Sequence, residues 1–150
     1  MKTNILSLSF REVKCPKAAS IVVGELRVDG ELVGDKYALN VRQLASALLR
    51  DGEHFIFTCG CGVPACVGIV DGVQSRISGD SLVLAGSLPK GGDFSFAFSA
   101  SRARKAVAEA LKAVKPMVDK ADRHEEGEEM VLGFGHPSYG FSDCINSLGA

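Results

Sequence analysis

The chain has 150 residues and a formal net charge of -1, with 46% hydrophobic and 23% charged residues. That length fits one domain able to bury its own core, and the composition excludes bulk disorder and a fibrous architecture. The balanced charge excludes a global pull towards nucleic acid or an anionic membrane, and no run approaches the roughly eighteen apolar residues of a membrane-spanning helix.

In chain order, residues 1–10 place Leu6, Leu8 and Phe10 on one side and Ser7 and Ser9 on the other, the period of a half-buried strand. They contain neither a continuous apolar stretch nor a small-residue cleavage site, so no export signal is read and a reducing cytoplasm is the expected compartment. There, five cysteines, an odd number, argue for free thiols or metal ligands over a disulfide framework. Cys15-Pro16 interrupts the pattern, because proline cannot donate to a ladder. Residues 20–28 resume as a strand, Asp29-Gly30 suits a two-residue hairpin turn, and residues 31–37 form the returning strand.

Asn40 is placed to cap a helix, with Gln43 completing a capping box and Gly52 supplying the stop. Val41, Leu44, Ala45 and Leu48 make its apolar stripe. A strand over residues 54–58 follows, then a hairpin of residues 73–78 and 81–85 around Gly79-Asp80, and a loop over residues 87–93. Phe94, Phe96 and Phe98 alternate with small residues, so three phenyl rings share one face of a strand. Ser99 or Ser101 caps a second helix that runs to about Lys115, where Pro116 stops or kinks it, with Val107, Leu111, Val114 and Val118 facing inward.

These elements predict an α+β fold, a mainly antiparallel sheet built from hairpins with two amphipathic helices on one face. Residues 1–118 are expected to form a single globular domain. Residues 119–150 are expected as a polar linker followed by a C-terminal segment that either packs back on the domain or lies loose. The acidic cluster over residues 119–129 lacks the spacing of a calcium loop.

The most specific stretch is Cys59-Gly60-Cys61-Gly62-Val63-Pro64-Ala65-Cys66, which places three sulfurs within eight residues at the end of an apolar run. Thiolates bind Zn²⁺ tetrahedrally and a structural site takes four ligands, so Cys59, Cys61 and Cys66 need a fourth. Cys144 is the first candidate, with His136, His54 or Cys15 as alternatives. Two further uses of the thiols stand beside zinc: ordinary burial as small hydrophobes, or dithiol redox chemistry. No C-x-x-C leads into a helix as a thioredoxin-like site would.

The eleven residues 59–69 resemble the post-SET segment of histone-lysine methyltransferases, whose C-x-C-G-x-x-x-C pattern helps bind one Zn²⁺ together with a cysteine from the catalytic core. The Asn-His-Ser-Cys motif of that family is missing from this sequence, so the resemblance implies the zinc segment and not the methyltransferase activity. Residues 55–115 also resemble small uncharacterised bacterial proteins, some of them suspected immunity proteins, a resemblance that implies no known activity.

The remaining motifs are negative: no H-E-x-x-H, P-loop or G-x-S-x-G occurs. The leading expectation is therefore a small protein, leaning away from enzyme, that binds another macromolecule as an inhibitor or immunity-like partner, with the cysteine cluster structural. A protein partner is expected, reached through the basic helix residues Arg102, Arg104, Lys105 and Lys112. Two alternatives stay open. One is a thiol-dependent redox protein or hydrolase using Cys59, Cys61 or Cys66 on a small-molecule substrate; the other is nucleic-acid binding through the same basic helix.

Overall fold

The computed structural model describes residues 3–13, 21–58, 64–122 and 141–149. They form antiparallel sheets and three helices, the α+β class expected. Strand β1 (Leu6–Val13) pairs with β2 (Ile21–Val28), and β2 with β3 (Glu31–Val33). The register sets Leu6 against Val28 and Leu8 against Leu26, all four buried, so the alternating pattern becomes the inner face of this sheet. At the β2–β3 turn Asp29 and Gly30 both have positive φ, 53° and 84°, as the primed hairpin turns require. Asp29 does more than turn the chain: its carboxylate accepts from the Ile5 amide at 2.8 Å and from Asn4 Nδ2 at 2.7 Å.

The returning strand ends at Val33 and does not reach residue 37. Gly34 has φ +67°, and a Cβ there would lie 2.3 Å from Cε1 of Phe57. The ring thus occupies the space a side chain would need, and the chain bends away. After the break, β4 (Ala38–Leu39) pairs with β6 (Phe57–Thr58).

Between them lies α1 (Val41–Leu49), capped as expected by Asn40, whose side chain accepts from the Gln43 amide at 3.1 Å. The reciprocal half of the capping box does not form. Gln43 Oε1 accepts instead from Phe55 N, and Asn40 N donates to Ile56 O. Gly52 is not the stop either: α1 gives way to extended backbone at Arg50, and Gly52 opens the next strand. The expected single strand over residues 54–58 is split, because β5 (Gly52–His54) and β6 belong to different sheets.

The four-stranded sheet has the order β5-β7-β8-β9, with β7 Val73–Ser78, β8 Ser81–Leu88 and β9 Gly92–Ser99. Its strands extend into the expected loop over residues 87–93, leaving Pro89, Lys90 and Gly91 as the turn. Val73, Ser75, Leu82, Leu84, Leu88 and Phe98 are buried. The phenyl rows do share a face, and they continue across the molecule: Phe96 stacks on Phe94 with centroids 5.6 Å apart, Phe94 meets Phe57 edge-on at 6.5 Å, and Phe57 meets Tyr37 at 6.4 Å. Asn4 stitches this sheet to the first by a parallel bridge to Phe98, its amide donating to Ala97 O and its Oδ1 accepting from Ala97 N.

Helix α2 (Ala100–Asp122) packs against β1, β9, α1 and α3 (Phe141–Gly149). Val107, Leu111 and Val114 are buried as the periodicity required; the side chain of Val118 lies outside the described residues. Ser99 Oγ accepts from Arg102 N at the start of α2, but the main cap is Asp80, which accepts from Ser101 N at 2.8 Å and from Ser99 Oγ at 2.6 Å. The helix does not stop at Lys115. It passes through Pro116, which is exposed, to Asp122, although proline has no N–H for the Lys112 carbonyl. On α3, Cys144 and Leu148 are buried. Residues 123–140, with most of the acidic cluster, lie outside the described residues.

Candidate functional site

The residues on either side of the cysteine motif are described. On its N-terminal side, Phe57 and Thr58 are buried, Thr58 at 1% exposure. On its C-terminal side, Pro64–Val67 forms a 3-10 turn that packs against β6, followed by buried Ile69 and by Val70, which is 83% exposed. Cys59 and Cys61 themselves lie outside the described residues, as do Cys15 and His136. Of Cys66, the backbone is placed in the 3-10 turn and the side chain is not described. Two candidate fourth ligands can be located, Cys144 and His54.

His54 is buried, and its Nε2 lies 3.0 Å from Arg50 O. A carbonyl only accepts, so Nε2 is the donor in this bond. Cys144 is buried on α3, and its thiol is pushed above the usual range first by burial, against the pull of Arg42 and with a small push from Asp143. Arg42 sits in the first turn of α1 and Arg50 just beyond its last. Among the described residues no group of three or more His, Cys, Asp or Glu side chains is arranged to hold a metal.

The basic helix divides into two kinds of residue. Arg104 is half-buried, and its Nε donates to Leu48 O at 2.7 Å. It belongs to a set of side chains that satisfy the C-terminal carbonyls of α1: Ser75 Oγ donates to Ala47 O at 2.6 Å, and His54 bonds Arg50 O. A helix leaves these carbonyls without intrahelical partners, and a cation there also suits the helix dipole. Sequence reasoning missed this role, since nothing in local spacing connects Arg104, Ser75 and His54 to one helix end. Arg102, Lys105 and Lys112 are exposed and form no ion pair among the described residues.

Asp80 is the other electrostatic feature. Its carboxyl is held below the usual range by the Ser99 hydroxyl, then by the Ser101 amide and hydroxyl, with Arg104 adding a smaller pull. No described helix is long and apolar enough to cross a membrane. Comparison with protein-family models, with curated proteins and with solved structures found no match to this chain.

Proposed function

We propose that this chain acts by binding another macromolecule, an acidic protein, in the manner of an inhibitor or immunity protein. The observation that carries the reading is the outer face of α2, where Arg102, Lys105 and Lys112 are exposed and without ion pairs among the described residues. Cations set out along one rigid helix steer and orient a partner of opposite charge. Arg104 contributes as an anchor that fixes α2 against α1. The test is a complex recovered from the source cell with tagged protein and re-formed one-to-one from purified components. Turnover of a small substrate, with no such complex, would remove the reading.

The cysteine turn fits the same reading as a structural knuckle, Cys59, Cys61 and Cys66 holding Zn²⁺ with Cys144 or His54 as fourth ligand. Support comes from the burial of Thr58 and Ile69 on either side of the turn and from the donor chemistry of three thiols in eight residues. Zinc bound there stabilises the fold and closes its own coordination sphere. Metal content of protein purified without added metal tests it: one zinc per chain, lost with stability on Cys61→Ser, is expected. No zinc and unchanged stability would leave the thiols to packing or redox chemistry.

A further inference from the structure

Strand β9 lies at the edge of the four-stranded sheet, with β8 paired along its whole length on one side. The unpaired side of an edge strand is a template for another chain. Among the described residues only Asn4 bridges to that side. Its amide donates to Ala97 O at 2.6 Å, and its Oδ1 accepts from Ala97 N at 2.9 Å. One residue thus satisfies both outward backbone groups of Ala97.

The backbone groups of an antiparallel strand face a given neighbour at every second residue. Because Ala97 turns its N–H and C=O away from β8 towards Asn4, Ser95 and Asp93 turn theirs to the same side. Both are exposed, and their outward backbone groups have no partner among the described residues. The usual protections of an edge are scarce: β9 holds no proline or lysine, and its one charge is Asp93 near one end.

The strand is also complementary to itself. Laid antiparallel to a second copy about Ser95, it sets Ser95 opposite Ser95, Asp93 opposite Ala97 and Phe94 opposite Phe96. The outward groups of Asp93, Ser95 and Ala97 then exchange ladder bonds, and the half-buried rings of Phe94 and Phe96 meet in cross-strand aromatic pairs. The two Asp93 carboxylates fall at opposite ends of the ladder, so like charges are not opposed. Asn4 stands where Asp93 of the second copy would bond Ala97. With Asn4 in place on both copies, only the Ser95 pair is left to bond.

We propose that Asn4 is an edge plug: by occupying Ala97 it keeps β9 from pairing with β9 of a second copy, and release of the plug lets the chain self-associate through that edge. Asn4 is itself held, its Nδ2 donating to Asp29 Oδ2 at 2.7 Å, while Asp29 also bonds Ile5 in both directions. The hairpin turn of the first sheet therefore guards the edge of the second. This inference is independent of the partner-binding reading above.

The test is sedimentation equilibrium of the full chain over a concentration series, with amide hydrogen exchange followed by NMR on the same samples. The parent is expected to stay monomeric, with Ala97 N–H protected and Ser95 N–H exchanging freely. Asn4→Pro removes the donor, the acceptor and the tie to Asp29 together; it is expected to dimerise about tenfold more tightly or better, and to protect Ser95 as concentration rises. Adding Ser95→Pro, which removes an N–H that faces away from β8, is expected to restore the monomer. A folded Asn4→Pro chain that stays monomeric, or a dimer that survives Ser95→Pro, overturns the proposal. Should Asn4→Pro fail to fold, Asn4→Ala, which loses the acceptor and keeps the backbone donor, is expected to dimerise more weakly, and no gain over the parent overturns it. Exchange in the parent decides even without a folded variant: protected Ala97 beside unprotected Ser95 supports the plug, and a protected Ser95 overturns it, because the edge is then already occupied.

Discussion

Replacing Gly34 by alanine should destabilise the fold far more than the same change at Gly30, although both residues have positive φ. At Gly30 (φ +84°) no atom lies within 4 Å of the added Cβ, so the loss is the left-handed strain of a non-glycine residue, about 1–2 kcal/mol. At Gly34 (φ +67°) the Cβ would also meet three atoms of the Phe57 ring, at 2.3, 2.6 and 2.9 Å. That ring is buried and held between Tyr37 and Phe94, so it cannot withdraw without disturbing the aromatic row. Overpacking of this kind adds about 1–3 kcal/mol. The sum is about 2–5 kcal/mol, which lowers a urea midpoint by roughly 1–2.5 M at an m-value near 2 kcal/mol/M. Urea unfolding of both variants and of Gly34→Ala combined with Phe57→Leu measures the terms separately, and the double variant should recover part of the loss. Equal losses at Gly30 and Gly34 would refute the claim that Phe57 ends β3.

Three further outcomes are expected. Arg104→Ala should lose about 1.5–3 kcal/mol in urea unfolding, because the Leu48 carbonyl loses a charged donor, and Arg104→Lys should restore only part of it; an unchanged midpoint would show the contact to be idle. Asp80→Asn should be less stable than the parent at neutral pH. Because the folded-state pKa of Asp80 is depressed below 3.8, its contribution is present above that value and disappears as the pH falls through the folded pKa, so the gap between the two proteins should close in acid; a constant gap down to full protonation would contradict the capping role. Finally, Cys144 should be alkylated slowly at neutral pH in the folded chain and rapidly after unfolding, as peptide mapping by mass spectrometry would show, since burial both shields the thiol and raises its pKa.

What was legible in the sequence was local. The alternation of Leu6, Leu8 and Phe10, the Asp29-Gly30 turn, the Asn40 cap and the Phe94 to Phe98 row each depend on neighbours within a few residues, and each took the expected form. What was not legible depended on distant partners. Gln43 fits a capping box by spacing, yet the amide of Phe55 claims its side chain. Residues 31–37 look like one strand until Phe57 fills the space at Gly34. Arg104 and His54 stand out in the sequence as charge and imidazole, but nothing near them in the chain shows that both also bond carbonyls at the end of α1. Pro116 removes one backbone hydrogen bond from α2, yet the helix continues past it to Asp122. The cysteine turn was the most specific motif, and its identity lies in side chains 59–63 and 66, beyond the described residues; the frame that holds it, Thr58 and Ile69, is what the fold adds.

The central claim is that the outer face of α2 binds a protein partner. Calorimetric titration of the purified partner into the parent chain and into the triple variant Arg102→Glu, Lys105→Glu, Lys112→Glu tests it most directly. A one-to-one complex that weakens by two orders of magnitude or more in the variant, with unfolding by urea unchanged, is predicted from the loss of three attractive charges and their replacement by repulsive ones. Undiminished affinity in the variant would contradict the claim.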